Sequence, residues 1–330
     1  MQRIPIEYQS ADGKLRLHAE EYGPKNAPLT VLCLHGLTRN GRDFEALVKH
    51  LSADYRVIIA DQRGRGQSPW DPDPTNYQIP VYARDMTCLL DRLGVAQVAL
   101  IGTSMGGLIS MLLGASQPAR VPGIVLNDVG PEIPPAGIDR LREALTTPAH
   151  VSTWADAAQQ AKRINGHAFP DYGSADWDAF ARRTYAEDAT GRPVPAFDPA
   201  ILQGLTRPAS PDAVAPTLWP VWAQLAVIPI LAIRGELSDI LSVETLEKMA
   251  ARHPKLDRVR LPNRGHAPML DEPPASLPSI GSWRACIGDR GLDWQNGARH
   301  WLRTRHRQKH RSGAGRGGRP RGGAWTGRRR

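Results

Sequence analysis

The stretch that decides the fold is V-A-L-I-G-T-S-M-G-G-L-I-S-M-L-L-G, residues Val98–Gly114. It begins as an apolar run of strand length, turns within G-T-S-M-G-G, and continues as an apolar helix. A serine at the tip of such a sharp turn sits in strained backbone, and the residues two before and two after it leave no room for a Cβ. Gly102 and Gly106 occupy those positions around Ser104. The pattern therefore predicts an exposed serine hydroxyl beside a helix N-terminus, where the N–H of Met105 can bind a developing negative charge.

The chain is long enough for a sizeable core and shows no sign of export. Its 330 residues suffice for one large α/β domain with an insertion, or for two domains. Residues 1–20 lack the apolar segment of a secretory signal, and no apolar run approaches the roughly 18 residues of a membrane span. Cys33, Cys88 and Cys286 form no Cys-x-x-Cys pair. We therefore expect reduced thiols in a cytoplasmic protein, with no metal site and no membrane partner.

The basic charge of the chain is concentrated at its C-terminal end. Residues 276–330 carry 14 Lys and Arg against 2 Asp and Glu, whereas residues 1–275 carry 28 against 31, so the body is mildly acidic. The basic tail is rich in Arg and Gly and has no hydrophobic periodicity, so we expect it to be disordered. Such an arm can bind nucleic acid, but its aromatic residues are poorly interleaved, and nucleic acid is not the partner we expect.

Apolar runs of strand length alternate with helical patterns over the body of the chain. Strands are predicted in Ile4–Tyr22 (two strands), Thr30–Leu34, Arg56–Ala60, Val98–Ile101, Gly123–Leu126, Ile228–Ile233 and Leu256–Leu261. Helices are predicted over Arg42–Leu51, Val81–Leu93 and Val243–Arg252. Continuous apolar strands separated by helices predict an α/β protein with a doubly wound, mostly parallel sheet. Ligand sites in such sheets gather beyond the carboxyl ends of the strands.

Polar motifs follow five of these strands, and their order and spacing resemble the motif series of the α/β-hydrolase superfamily. The motifs are His35-Gly36, Asp61-Gln62-Arg63-Gly64-Arg65-Gly66, Gly102-Thr103-Ser104-Met105-Gly106-Gly107, Gly235-Glu236-Leu237-Ser238-Asp239 and Gly265-His266. The resemblance covers residues 1 to about 275. It implies the α/β-hydrolase fold with a helical cap, the order Ser, acid, His along the chain, and no cofactor.

Ser104 is the predicted nucleophile both from its place in the turn and from the resemblance. A serine hydroxyl is inert at its ordinary pKa and needs a base within hydrogen-bond reach. His266, in a Gly-containing loop after the last strand, is the candidate base. The competing His35 lies beside the loop that follows an earlier strand, where the resemblance implies a structural role.

The acid that would orient the imidazole has three candidates. The resemblance favours Asp239, with Asp128 after an earlier strand as the alternative and Glu236 as a weaker third choice. A plainer interpretation of Asp239 is a helix N-cap. For the oxyanion hole, the turn itself supplies the N–H of Met105, and the resemblance implies the N–H of Leu37 as the second donor.

The segment after Gly130 differs in composition from the rest of the body, and it lies where the family has its helical cap. Helices are predicted there over Asp139–Thr146 and Trp154–Ile164, and nine of the 16 aromatic residues of the body lie in it. They are expected to form the cap's own core or to line an apolar pocket, with Trp219 and Trp222 as candidate substrate-binding residues. The predicted domains are a hydrolase core of residues 1–130 and 226–275, a helical cap of residues 131–225 and a tail of residues 276–330.

The tail also stands where the resemblance implies a final helix packed on the sheet, after Asp271-Glu272-Pro273. Back-translating Ala275–Ala285 and shifting the reading frame gives an amphipathic helical pattern. We therefore interpret the tail as the product of a frameshift in a GC-rich gene. The loss of that helix would leave the chain less stable than its relatives, or inactive.

These inferences predict a serine hydrolase that cleaves a small, largely apolar carboxylic ester through an acyl-enzyme. Epoxide hydrolases and haloalkane dehalogenases resemble the same sheet but carry Asp at the turn, so Ser104 argues against their mechanism. The alternative is a C–C bond hydrolase acting on a ring-cleavage product, which a polar patch around Arg39 or Arg42 would favour. A non-catalytic protein that binds nucleic acid through its tail is the alternative from another class. The oligomeric state stays open.

Overall fold

The computed structural model describes residues 2–147, 150–206 and 217–270. The inferences drawn for the basic tail, namely its disorder, its capacity for nucleic acid and its frameshifted origin, lie outside these residues. So does the final helix that the family resemblance implies.

The described residues form ten strands, eight of which make one sheet. The strands are β1 (Ile4–Gln9), β2 (Arg16–Tyr22), β3 (Thr30–Leu34), β4 (Arg56–Ala60), β5 (Val98–Thr103), β6 (Ile124–Asn127), β7 (Tyr185–Glu187), β8 (Pro193–Pro195), β9 (Ile230–Gly235) and β10 (Leu256–Leu261). The sheet order is β1-β2-β4-β3-β5-β6-β9-β10, and β7 pairs with β8. The β1–β2 hairpin joins β4 antiparallel, and the six strands from β4 to β10 run parallel. The predicted doubly wound, mostly parallel sheet is confirmed.

Nine α-helices accompany these strands in the same residues. They are α1 (Glu45–Leu51), α2 (Ile79–Arg92), α3 (Met105–Ser116), α4 (Pro135–Thr146), α5 (Trp154–Asn165), α6 (Ser174–Thr184), α7 (Gln203–Thr206), α8 (Trp219–Gln224) and α9 (Val243–Arg252). Short 3-10 turns lie at Gly41–Phe44, Pro74–Asn76, Gly166–Ala168 and Pro199–Leu202. None of these helices is long and apolar enough to cross a membrane.

Apolar side chains cover both faces of the sheet. Leu32 and Leu100 point to the face that carries α2, α3 and α8, whereas their neighbours Val31 and Ile101 point to the face that carries α1. All four are almost completely buried. A strand buried on both faces appears in the sequence as a continuous apolar run. For this reason the predicted bounds of β3 and β4 agree with the observed ones at both ends.

The segment between β6 and β9 contains α4 to α8 and the β7–β8 hairpin. Helices α5 and α6 pack on one another around Phe169, Trp177 and Phe180, whose rings contact one another with centroids 5.6 to 6.2 Å apart. Helix α8 instead joins the cluster beneath the sheet together with α3. Most aromatic residues of the segment thus form its own small core, one of the two outcomes expected. The predicted domain boundaries stay a prediction.

Candidate active site

Ser104 lies between β5 and α3 with φ 52° and ψ −115°, a strained conformation for a residue with a side chain. A Cβ on Gly102 would lie 2.3 Å from the carbonyl oxygen of Gly106, and one on Gly106 would lie 2.0 Å from that of Leu34. Neither position can hold a side chain unless the backbone moves. The turn therefore has the geometry that its glycine spacing predicts, and the serine side chain stands at its tip.

The imidazole of His266 bridges Ser104 and a carboxylate. Its Nε2 lies 2.9 Å from Ser104 Oγ, and its Nδ1 lies 2.8 Å from Asp128 Oδ2. Because a carboxylate oxygen only accepts, Nδ1 carries a hydrogen and donates a hydrogen bond to Asp128. In the neutral ring, the lone pair of Nε2 then faces the serine hydroxyl. This is the protonation state in which an imidazole can remove the proton of Ser104.

The Asp128 carboxylate is fully buried and held by three donors. It follows β6 in a left-handed conformation with φ 59°. The N–H of Gly235 donates to Oδ1 at 2.9 Å, and the hydroxyl of Ser238 donates to Oδ2 at 2.6 Å, beside the bond from His266. A buried carboxylate is costly unless such bonds compensate for lost water. The end of β9 and the loop after it therefore supply two of the bonds that keep this acid in place.

Asp239, the acid preferred from the sequence, contacts a different partner, and that preference is corrected here. Its carboxylate forms a two-fold ion pair with Arg140 of α4, one contact being 3.0 Å. Burial raises the pKa of Asp239, but the bonds and charge of Arg140 outweigh burial and hold the pKa below its usual value. The turn directs Ser238 to Asp128 and the next side chain to the cap. Asp128, the alternative, is the residue bonded to His266, and Glu236 accepts from the N–H of Asn263 at the surface.

The two predicted oxyanion donors flank the serine. Met105 is the first residue of α3, where a backbone N–H has no acceptor inside its helix. Leu37 follows β3 and Gly36, and a Cβ built on Gly36 would lie 3.8 Å from the Cβ of Ser104. The loop that carries Leu37 therefore passes beside the nucleophile. The role of both N–H groups in binding an oxyanion stays a prediction.

His35 stabilises the loop that carries Leu37 through two hydrogen bonds of its ring. It is fully buried, its Nδ1–H donates to the carbonyl of Gly36 at 2.8 Å, and its Nε2 accepts from the N–H of Gln62 at 3.0 Å. Burial lowers the pKa of His35, which favours the neutral ring that this pattern requires. These bonds match the structural role expected for His35.

Two residues at the site were not singled out from the sequence. Asn127, the last residue of β6, donates to Thr103 Oγ1 at 3.1 Å and to the carbonyl of Pro268 at 2.8 Å, so it ties the loop of His266 to the end of β5. Arg65 donates from Nε to the carbonyl of Leu37 at 2.9 Å. The signal available for Asn127 was its position at a strand end, and for Arg65 its place in the motif after β4.

Two side chains that follow Leu37 in the chain donate hydrogen bonds to carbonyls at the C-terminal end of helix α6. Arg42 donates to the carbonyls of Arg182 at 2.7 Å and Tyr185 at 2.9 Å, and Asn40 donates to that of Arg183 at 3.0 Å. The last carbonyls of a helix lack partners within it, and cations are favoured there. The cap is therefore docked onto the loop that carries Leu37.

Arg39 also contacts the C-terminal part of α6. It pairs with Asp43, donates to the hydroxyl of Thr184, and lies with its guanidinium carbon 4.2 Å from the ring centroid of Phe180. Arg39 and Arg42 are the arginines named above for the C–C bond hydrolase. Both are engaged in holding the cap.

The loop of His266 is docked onto the cap as well. The N–H of Gly265 donates to the carbonyl of Ala168 at 2.8 Å, and Arg264 pairs with Asp171 at 2.8 Å. Met269 packs in the aromatic cluster of α5 and α6. These two loops are thus among the places where the cap is fastened, and each of them carries part of the site.

Trp222 cannot line a substrate pocket, contrary to the sequence prediction. It is 1% exposed in the cluster beneath the sheet, and its ring centroid lies 5.0 Å from that of His253. The aromatic pattern indicated burial correctly but not the surface against which the ring is buried. Trp219 is half-buried, donates from Nε1 to Glu132 at 2.9 Å and lies beneath Arg252. Its proposed contact with substrate stays a prediction.

Within the described ranges, neither a metal-binding cluster nor an activated thiol accompanies this site. There, no set of three or more His, Cys, Asp and Glu side chains is arranged to hold a metal ion. Cys33 and Cys88 are free thiols, and burial raises the pKa of both, which keeps them protonated and weakly nucleophilic.

A family sequence model described as the alpha/beta hydrolase fold matches residues 30–273. The chain belongs to the α/β hydrolase fold family. This α/β hydrolase is 34% identical over 270 residues to the 3-hydroxybutyrate-oligomer hydrolase of Cupriavidus necator, covering 80% of this chain and 91% of that protein. It is 29% identical over 270 residues to the 2-(acetamidomethylene)succinate hydrolase of Mesorhizobium japonicum, covering 81% and 91%.

A solved α/β hydrolase from Novosphingobium aromaticivorans superposes on the chain with a TM-score of 0.76 at 41% identity, covering 85% of this chain and 97% of the other. The named relatives are hydrolases, and this α/β hydrolase is accordingly a hydrolytic enzyme.

Proposed function

We propose that the chain is a serine hydrolase that cleaves small carboxylic esters through an acyl-enzyme at Ser104. The observation that carries this proposal is the continuous set of hydrogen bonds from Ser104 Oγ through His266 to Asp128. A serine, a base and an orienting acid in this arrangement are the requirement for nucleophilic catalysis by a hydroxyl group.

In the proposed mechanism His266 takes the proton of Ser104 as Oγ attacks the ester carbonyl. The N–H groups of Leu37 and Met105 bind the resulting oxyanion. His266 then gives the proton to the leaving alkoxide, and the acyl group stays on Ser104. A water molecule, deprotonated by His266, attacks the acyl-enzyme and releases the acid, after which the proton returns to Ser104. Asp128 keeps the imidazole in the required tautomer and stabilises its protonated form without taking the proton.

We infer further that the substrates are short esters of a hydroxy acid. Support comes from the 3-hydroxybutyrate-oligomer hydrolase, which aligns with this chain over 91% of its own length. In such an oligomer the hydroxyl of one unit is esterified by the carboxyl of the next, so the bond to be broken is a carboxylic ester. The C–C bond hydrolase has weaker support, because Arg39 and Arg42 are engaged with the cap.

Covalent labelling with a fluorophosphonate tests the serine mechanism. The folded wild-type chain should be labelled, and Ser104→Ala should lose the label. Ser110→Ala is the matched control, since Ser110 is a buried serine on α3 whose hydroxyl donates to the carbonyl of Gly106 at 2.8 Å. Label that survives in Ser104→Ala, or a folded wild type that takes none, would contradict the proposal.

The substrate class is tested by monomer release from the dimer and trimer of 3-hydroxybutyrate, measured by chromatography beside a p-nitrophenyl ester series of increasing chain length. Turnover of the dimer and trimer that Ser104→Ala abolishes is the expected result. An enzyme that hydrolyses p-nitrophenyl esters and leaves both oligomers intact would still be a serine hydrolase, but the substrate inference would be wrong.

A further inference from the structure

Arg65 is a completely buried cation whose bonds all go to uncharged groups. Arg65 is 1% exposed. It donates to the carbonyls of Leu37 and Arg63, both at 2.9 Å, and to the hydroxyl of Tyr82 at 2.8 Å, and one nitrogen lies 3.7 Å from Met105 Sδ. Across the described ranges, no carboxylate forms an ion pair with it. Its positive charge is therefore not neutralised by a neighbouring acid.

The contrast with Arg63, two residues earlier, shows that the fold can neutralise a buried arginine at this place. Arg63 is equally buried and pairs with Asp85 at 2.8 Å and with Asp71 at 2.5 Å. A buried charge without a partner is destabilising, and such groups concentrate where function needs them. The charge on Arg65 therefore calls for an explanation that the charge on Arg63 does not.

Aromatic rings give Arg65 partial compensation and leave its charge in place. Its guanidinium carbon lies 4.9 Å from the ring centroid of Tyr82 and 5.5 Å from that of Tyr77, within the range of cation–π attraction. Asp198, a nearby buried acid, accepts from the hydroxyl of Tyr77 at 2.6 Å. The phenol engages this carboxylate, and the guanidinium keeps its net charge.

The two residues that supply the proposed oxyanion donors both contact this guanidinium. Leu37 contacts it through its carbonyl oxygen, and Met105 through its sulfur. A negative charge develops on the substrate oxygen between the two N–H groups as Ser104 attacks. A fixed positive charge behind those groups stabilises that state, and it needs no reorganisation at the moment of reaction.

We propose that Arg65 is the positive counter-charge of the oxyanion hole. It is a positioning residue that touches no reacting atom. It fixes Leu37 through the bond to its carbonyl, in the peptide group that follows the donor N–H, and places an unneutralised charge behind the N–H groups of Leu37 and Met105. The inference rests on the proposed function, because it assigns Arg65 a part in stabilising the oxyanion formed at Ser104.

Three variants separate the charge from the bond. Arg65→Gln removes the charge and keeps a hydrogen-bond donor, Arg65→Met removes both with a stem that fills the same buried space, and Arg65→Lys keeps the charge. We expect the two uncharged variants to lose kcat by on the order of tenfold or more, with KM changed less than threefold, because the charge acts on the transition state. Arg65→Lys should recover part of the loss.

A matched pair of ketone inhibitors supplies a readout that a purely structural role would not move. An alkyl trifluoromethyl ketone forms a negatively charged tetrahedral adduct with the serine, whereas the corresponding methyl ketone stays trigonal and neutral. The affinity of the trifluoromethyl ketone should fall in Arg65→Gln by the same factor as kcat, and that of the methyl ketone should not change. Titration of active sites with a fluorophosphonate makes these values independent of the folded fraction.

Arg120→Gln is the control for losing an arginine that holds a backbone carbonyl. Arg120 donates twice to the carbonyl of Val95, at 2.9 and 2.7 Å, near the amino end of β5 and away from Ser104. This variant should lower Tm and leave kcat unchanged.

The inference would be overturned by uncharged Arg65 variants that keep kcat within twofold, by equal losses for both ketones, or by an Arg65→Lys enzyme as slow as Arg65→Gln. A wild type that no fluorophosphonate labels would overturn the proposed function and this inference with it. A labelled, active wild type with unaffected Arg65 variants would overturn this inference alone.

Discussion

Two aspartates at the ends of neighbouring strands occupy different environments, and only one of them bonds to His266. Asp128 is fully buried and accepts from three donors, whereas Asp239 is partly exposed and paired with Arg140. Replacing each by asparagine therefore gives opposite expectations. Asp128→Asn should lower kcat by about 10⁴-fold, because an amide does not stabilise the required imidazole tautomer. Asp239→Asn should stay within a few-fold of wild type.

Steady-state hydrolysis of p-nitrophenyl butyrate measures both variants, with circular dichroism as the check on folding. A large loss in Asp239→Asn with little change in Asp128→Asn would contradict the assignment and restore the preference drawn from the sequence.

The sequence placed Ser104, His266 and both aspartates at the correct edge of the sheet, but it favoured Asp239 over Asp128, the acid that bonds to His266. Motif and strand order determine which loops meet there. The choice depends on backbone direction after β6, where Asp128 turns into the left-handed region, and on Ser238, which bonds to Asp128 and leaves the next side chain facing α4. Neither feature follows from residue type or spacing.

At the scale of elements, the docking of α6 on the loop after β3 gives a prediction for Arg42. Arg42→Ala removes two hydrogen bonds, one to the carbonyl of Arg182 in the last turn of α6 and one to that of Tyr185 directly after it. We expect faster hydrogen exchange in the amides of α6, because the carbonyls at its C-terminal end lose their donors and the helix loses its attachment to the segment after β3. The amides of β3 and β5 should exchange as before. Exchange measured by mass spectrometry tests this.

Arg258→Ala, which removes an exposed ion pair with Glu247 on the far edge of the sheet, is the control and should leave α6 unchanged. Unaltered exchange of α6 in Arg42→Ala would show that these bonds do not hold the cap.

The bounds of strands buried on both faces were predictable to within a residue or two. The elements of the cap were predicted less completely. Helix α6 was not predicted, although Trp177, Phe180 and Ala181 recur at helical spacing. Its exposed face is polar and its first residues follow a glycine, so the start signal was weak. Periodicity indicates that a face is buried, but not whether the cap, the sheet or a substrate covers it. The error over Trp222 has the same origin.

At the scale of the whole molecule, the family match ends at residue 273, three residues before the basic tail begins at Ser276. This agrees with the interpretation of the tail as a frameshift product, which stays a prediction. Resequencing the locus should show a single-base insertion or deletion near the codon for Ala275, and a frame-corrected chain should have the higher Tm. An uninterrupted frame in independently prepared DNA would contradict the interpretation.

Two of the attachments of the cap limit how such an enzyme can be redesigned. One attachment is the loop that leads from Leu37 to Arg42, and the other is the loop from Arg264 to Met269. A chimera that receives only the cap of a relative would lose its contacts at both places. The grafted segment has to bring the matching receiving loops with it, and those loops carry the proposed oxyanion donor and base. In this enzyme, exchanging the cap therefore also changes the loops of the proposed reaction centre.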